Sequence, residues 1–190
     1  MTKALSLKER YSKEIAPALQ KSLGVKNINA VPKLSKVIIN VGIGKMLAGG
    51  KDYSDVEQNV KSIAGQKPLI AKSRKAISNF KLRENMPVGI HATLRGSRMY
   101  DFVSKFVNIT LPRTRDFRGI SARSFDGNGN YSVAIREHTV FPEVNPDDIV
   151  KLHGVQLTFV TTAKTNEEAL QLLKALGFPF QEKKERAAKK

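Results

Sequence analysis

Cysteine and tryptophan are both absent. Without a thiol there is no disulfide framework, no thiolate metal site and no cysteine nucleophile. The three histidines, His91, His138 and His153, share no metal-ligand spacing, and no carboxylate pair sits in a pocket-like context. Catalysis therefore has no visible basis, and neither a metal nor a cofactor is expected. No apolar run approaches the roughly 18 to 20 residues of a membrane span. The opening MTKALSLKER carries charges where a signal peptide needs an apolar core, which predicts a soluble, unexported chain. Acidic residues are the other shortage: 17 Asp plus Glu stand against 33 Lys plus Arg, a net charge of +16. Such an excess repels itself in the folded state and is ordinarily matched to a polyanion. No long basic amphipathic helix with exposed Trp or Phe is visible, so nucleic acid is favoured over an anionic membrane.

What is present suits a globular domain. With 190 residues, 41% hydrophobic and 26% charged, the chain can bury a core without disulfides. One compact α+β domain over residues 1–180 is expected, followed by a flexible basic tail, QEKKERAAKK, at 181–190.

Four segments have helical patterning. In SLKERYSKEIAPALQKSLG, Ser6 and Glu9 form a capping box and Gly24 is the stop, with Pro17 expected to kink or break the helix. DYSDVEQNVKSIAG has Asp52 as N-cap and Gly65 as stop. SRMYDFVSKFVNITLP is capped by Ser97, with Pro112 just beyond its end, and TNEEALQLLKALG carries a Thr165/Glu168 capping box. Five segments read as strands: KVIINVGIG, QKPLIA, MPVGIHATLRG, NYSVAIRE and VQLTFVTT. Two of these strands are joined directly by a basic loop, which points to a mainly antiparallel sheet with helices packed on one face.

Alternation along the strands separates two faces. Val37, Ile39, Val41, Val88, Ile90, Ala92, Leu94, Tyr131, Val133, Ile135, Val155, Leu157 and Phe159 form an oily face. Opposite them lie Ile38, Asn40, Gly42 and Gly44, then Gly89, His91, Thr93 and Arg95, then Ser132, Ala134 and Arg136, and finally Gln156, Thr158 and Val160. A wet sheet face is common in antiparallel proteins and needs no ligand. On a chain this basic, small polar side chains would also let a rigid polyanion approach closely.

Two glycine-rich stretches do not match the sites they suggest. VGIGKMLAGGK has Leu47 where a dinucleotide fingerprint needs glycine, and Lys45 and Asp52 where a phosphate loop needs Gly and Ser or Thr. In DGNGNYSVAIRE, Asp126, Asn128, Asn130, Ser132 and Glu137 fall on calcium-loop spacing. Tyr131 occupies the turn glycine's place, however, and a strand follows, so a Gly/Asn turn is the better account.

The charge is unevenly spread. KSRKAISNFKLR holds five cations, Lys72, Arg74, Lys75, Lys81 and Arg83, and no acid. PRTRDFRGISARSFDG adds Arg113, Arg115, Arg118 and Arg123, interleaved with Phe117 and Phe125, where guanidinium forks suit phosphate and planar groups can stack on bases. Either run could simply be solvated. From Arg136 to Glu168 the balance reverses, with Glu137, Glu143, Asp147, Asp148, Glu167 and Glu168 against three cations, so one polyanion cannot face both regions.

Three long blocks, GQKPLIAKSRKAISNFKLRENMPVGIHATLRG, LPRTRDFRGISARSFDGNGNYSVAIREHTVFPEV and LTFVTTAKTNEEALQLLKALGFPF, carry a family signature. In order and spacing they resemble the bacterial large-subunit ribosomal protein L5 family, and the likeness runs from about Tyr11 to Phe180. The resemblance implies a non-enzymatic protein of the cytoplasmic ribosome. It would sit in the central protuberance, bind 5S rRNA, help attach it to 23S rRNA and neighbour other 5S-binding proteins. It further implies 5S rRNA contacts at Asn40, Gln66 and Thr93, beside which the polar-face residues Gly42, Gly44, His91 and Arg95 are candidates. Lys72, Ser73, Arg74, Lys75, Ser78, Asn79, Phe80, Lys81 and Arg83 correspond to the family loop that reaches P-site tRNA. The four arginines from Arg113 to Arg123 are candidates for other rRNA contact. Glu137, Glu143, Asp147 and Asp148 lie where the family bridges to a small-subunit head protein, which would be basic. The competing readings are a free-standing RNA-binding regulator or RNA chaperone, and an RNA-modifying enzyme. Co-sedimentation with large subunits in moderate salt would separate the first of these from a ribosomal component.

Overall fold

The computed structural model describes residues 5–47, 52–145 and 152–181. Among them, five strands form one antiparallel sheet: β1 (Leu34–Gly42), β2 (Leu69–Lys72), β3 (Pro87–Leu94), β4 (Tyr131–Ile135) and β5 (Val155–Thr161). The order across the sheet is β2-β3-β1-β5-β4. Every neighbouring pair is antiparallel. This is the α+β architecture expected, with the basic loop connecting adjacent strands β2 and β3.

Helix α1 runs through Leu7–Arg10, a π-helical turn Tyr11–Ile15 and Ala16–Leu23. Helix α2 is Ser54–Ala64, and α3 joins Gly96–Lys105, a second π-helical turn Phe106–Thr110 and Leu111–Arg113. Helix α4 is Asn166–Ala175. The oily strand face lies under them: Val37, Ile39, Ile90, Leu157 and Phe159 are completely buried, as are Val60 on α2, Phe106 on α3 and Leu172 on α4. Phe106 joins the layers, its ring 5.6 Å from Phe159 and 6.1 Å from Phe178. Two oily-face residues, Val88 and Val133, are only partly covered.

Neither proline ends its helix, and for the same reason. Pro17 does not break α1, and Pro112 lies inside α3 instead of beyond it. In both helices the residue just before the proline donates to the carbonyl five residues back, Ala16 to Tyr11 and Leu111 to Phe106. One extra residue in the turn relieves the clash between the proline ring and the preceding turn's carbonyl, so the helix continues.

The caps also shift. Ser6 and Glu9 form their capping box. Asp52 caps from one residue further out, its Oδ1 accepting from the Tyr53 and Ser54 amides at 2.7 and 3.2 Å. The Ser54 hydroxyl, which donates to the same carboxylate, contributes most, and with those two amides it holds the Asp52 carboxyl below the usual range. Ser97 is not a cap: α3 starts at Gly96, with extended Arg95 in the cap position. Thr165 caps α4, while the Glu168 carboxylate takes the Lys164 amide instead of that of Thr165.

Candidate nucleic-acid interface

The strand pairing converts alternation into rows. Leu69 of β2 faces His91 of β3, which faces Asn40 of β1, which faces Gln156 of β5, which faces Ala134 of β4. Directly paired residues point to the same side, so these five residues cross the face opposite the helices at about 4.8 Å per step. A second row runs Thr93, Ile38, Thr158, Ser132. Asn40 and Gln156 are exposed, and His91, Thr93, Ile38, Thr158 and Ser132 are half-buried. A third row pairs Gly42 with Gly89 and Gly89 with Ala71. A methyl group placed on Gly42 would meet nothing within 4 Å, so the bareness of this corner is not imposed by packing within the chain.

Gln66 sits beside the second row, where its side-chain amide donates to the Thr93 carbonyl at 2.9 Å. That bond ties Gln66 to Thr93, two of the three positions singled out by resemblance, although Gln66 follows α2 and lies outside any strand; the third, Asn40, stands in the neighbouring row. Two candidates are displaced from the face. Gly44 is not on β1, which ends at Gly42; it begins a short helical turn, Gly44–Leu47. The departure comes after Ile43, whose side chain is completely buried and whose amide still donates to Val88. Arg95 is exposed just past the end of β3, at the rim of the face.

Gln156, which alternation puts on the polar side, joins these residues although it is not among the candidates named above. Asn40 donates to its Oε1 at 3.5 Å across 116 residues of chain. Only the adjacency of β1 and β5 brings the two together.

The basic segment is partly ordered by its own backbone. Lys72 is the last residue of β2, and beyond it Ser73 and Met86 pair at 2.8 Å. Ile77 and Leu82 then exchange two backbone hydrogen bonds, at 2.9 and 3.1 Å, around a 3-10 turn Ser78–Phe80. Lys81 takes the left-handed conformation that closes this turn (φ 52°). Lys72, Arg74, Lys75, Lys81 and Arg83 are all exposed, as are Ser78 and Asn79, while Ser73 is half-buried. Phe80 at the tip is 72% exposed. Among the described residues, the ion pairs are Arg10–Glu14 and Lys105–Glu143, so no salt bridge neutralises this loop.

The second arginine cluster lies across the sheet, where Ile120 bonds with Pro179 and Gln181 near the end of the described chain. Arg113, Arg115, Arg118 and Arg123 are exposed. Their aromatic neighbours are partly buried: Phe117 and Phe125 pack against the core, and Phe125 lies 4.8 Å from Tyr131 and 6.2 Å from Phe180. The guanidinium groups are thus more open to a partner than the rings between them.

In the acidic stretch, Glu137 is exposed, but Glu143 is engaged within the chain. Lys105 bridges Glu143 at 2.5 Å and the Ile63 carbonyl at 2.9 Å. Asp147 and Asp148 lie outside the described residues. The Asp126 turn is closed internally: its carboxylate accepts from the Asn128 and Asn130 amides at 2.8 and 3.0 Å and from the Asn130 side chain at 2.6 Å. Those bonds hold the Asp126 carboxyl below the usual range, the Asn130 side chain contributing most.

Fold and surface together define a basic α+β protein whose sheet is backed by helices on one side and presents a largely polar surface of mostly short side chains on the other. The chain belongs to the ribosomal protein L5 family: the family model "Ribosomal protein L5" matches residues 27–83, and "ribosomal L5P family C-terminus" matches residues 87–180. It is 51% identical over 177 residues to the large ribosomal subunit protein uL5 of Thermotoga maritima, covering 92% of this chain and 95% of the relative. The uL5 proteins of Halothermothrix orenii and Clostridium tetani are 51% and 50% identical over 174 residues, each covering 92% of this chain and 97% of the relative.

Proposed function

We propose that the protein is a structural constituent of the large ribosomal subunit in the cytoplasm, where it holds 5S rRNA against its bare sheet face and helps attach it to 23S rRNA. It is a positioning module, not an enzyme. Lysine and arginine contacts to phosphate supply salt-dependent affinity, while the short polar residues on the sheet fix where the RNA docks. The observation that carries this reading is the row His91–Asn40 beside Thr93, on a side of the sheet that the described helices leave open. In this reading Gly42, Gly89 and Gln66 frame the docking site, and Arg95 adds a charge at its rim. The exposed loop from Lys72 to Arg83 reaches P-site tRNA, and the arginines from Arg113 to Arg123 meet other rRNA. Glu137 and the acids after it face a basic protein of the small-subunit head.

The test is a titration of 5S rRNA against the variant Asn40→Ala/Thr93→Ala. Loss of one or two neutral hydrogen bonds should weaken binding by about threefold to a hundredfold, with the fold intact. Unchanged affinity would remove the sheet from the interface.

A further inference from the structure

We propose that an apolar cleft beneath the basic loop, where the oily face runs out from under the helices, docks an acidic protein segment that inserts one bulky apolar side chain. This docking depends on neither of the RNA contacts proposed above, and its loss would leave both standing.

Alternation along β3 puts Val88 on the same side as Ile90, Ala92 and Leu94. Those three are buried, at 0%, 2% and 1% exposure, whereas Val88 is half-buried, so burial runs out toward the loop. Val88 lines a cleft of about 350 Å³ with Leu82, Met86 and Pro87, and with Phe80 and Lys81 from the loop tip. No member of the polar rows lines it. A methyl group on Gly44, which also borders the cleft, would meet nothing within 4 Å, so the described chain does not close it there. The sequence after that turn reads Ala48, Gly49, Gly50, Lys51 and supplies no bulky apolar side chain of its own. The volume is at the lower end for small-ligand clefts and ample for one Phe or Leu side chain.

Lining and charge together select the occupant. Phe80 is 72% exposed and is the one exposed phenylalanine among the described residues, and by itself it would suit a nucleobase as well. The rest of the lining decides against a base. Leu82, Met86, Pro87 and Val88 offer no strong side-chain donor or acceptor, so a base pushed in among them would leave its edge groups unpaired. An apolar side chain carries no such cost. Around that anchor the charge is of one sign: Lys72, Arg74, Lys75, Lys81 and Arg83 are exposed, with Glu84 the single acid from Lys72 to Pro87. Among the described residues none of the five cations has a salt bridge. Carboxylates flanking the inserted side chain would complement them. A second copy of this chain, at +16, is a poor occupant for the same reason.

The experiment titrates the full chain with three ligands: an acidic peptide carrying a central phenylalanine–leucine pair, the same peptide with serine at both places, and single-stranded oligouridylate. The first peptide should bind about tenfold tighter than the second, the effect of burying one large apolar side chain net of its ordering. Salt should weaken both peptides and leave the ratio between them, because screening acts on the charges alone. The Met86 methyl resonance of the wild type should move with the first peptide and stay still with the second. Met86→Gln/Val88→Thr keeps side-chain size while making the lining polar. It should abolish the preference for the first peptide, while its 5S rRNA affinity holds and reports a folded chain. Equal binding of the two peptides, or a Met86 methyl that does not respond to the first, would overturn the docking site without recourse to any variant. A double variant that folds and keeps the preference would also overturn it. Oligouridylate that shifts the same methyl and loses affinity in the double variant would assign the cleft to an unstacked base, overturning the protein occupant.

Discussion

Replacing Arg74 and Lys75 by alanine should leave 5S rRNA binding untouched while impairing tRNA on the assembled ribosome. Both cations lie beyond Lys72, the last residue of the edge strand β2, whereas Asn40 is on β1, two strands further in. Two strand spacings are about 10 Å, a Debye length at ordinary salt, so the loop charges contribute little to a phosphate docked over β1 unless they touch it directly. Each phosphate contact to RNA adds roughly 0.7 to 0.9 to the slope of log affinity against log salt. If Arg74 and Lys75 contacted 5S rRNA, the double variant would therefore lose about 1.5 from that slope, with a visible drop in affinity at low salt. If they serve tRNA, the slope from filter binding between low and moderate salt stays as in the wild type. The defect then appears in P-site tRNA occupancy on purified ribosomes carrying the variant. A loss of about 1.5 in the 5S slope would refute the division of the surface into two RNA sites.

Two further predictions concern stability. Gly129 has φ +78°, and a methyl group there would come within 2.8 Å of the Ala163 carbonyl oxygen. Gly129→Ala should therefore cost about 2 to 4 kcal/mol, read as a lower melting temperature, and an unchanged melting curve would remove this turn from the folding energetics. His138 is fully buried, its Nε2 finds no hydrogen-bond partner among the described residues, and its ring stacks 3.8 Å from His153. Burial pushes its pKa below the ordinary value of 6.5, despite the opposing bond from the His153 amide. The unfolded chain then takes up a proton near pH 6.5 that the folded chain refuses, so this contribution is intact above that pH and is lost as pH falls through the depressed value. Urea titrations should show stability declining below about pH 6.5 in the wild type and declining less in His138→Gln; identical pH profiles would exclude His138 as the cause.

The strand segments and their two faces could be read from the sequence because side chains on a strand alternate with period two, and Val37, Ile39 and Val41 against Ile38, Asn40 and Gly42 leave little choice. Strand order could not. Nothing local to VQLTFVTT says that it lies between β1 and β4, so the neighbourhood of Asn40 and Gln156 emerges only when 116 residues of chain close on themselves. The prolines misled for a different reason. Propensity treats Pro17 and Pro112 as helix breakers, but Ile15, Ala16 and Leu19 in one helix and Phe106 and Leu111 in the other are buried. Tertiary burial of those faces outweighs the local cost once a π-helical turn has moved the clashing carbonyl aside.

Charge counting does not tell which charges already have a partner within the chain. The acidic stretch after β4 reads as one uniform patch, yet Glu143 holds Lys105, and Lys105 in turn caps the end of α2 through the Ile63 carbonyl. Lys105 also lies 5.1 Å from the centre of the Phe102 ring. Both partners of this ion pair are less than one-third exposed, at 21% and 29%. A partner protein that recruited the Glu143 carboxylate would have to replace the lysine and leave that amine partly desolvated, which costs more than a rim contact returns. Among the described bridge candidates Glu137 carries its charge without that obligation. Glu137→Gln should therefore weaken association with a basic small-subunit protein without changing the melting temperature, while Glu143→Gln should first lower the melting temperature. The reverse pattern would mean that the Lys105 pair is dispensable for folding and that Glu143 is the bridging acid.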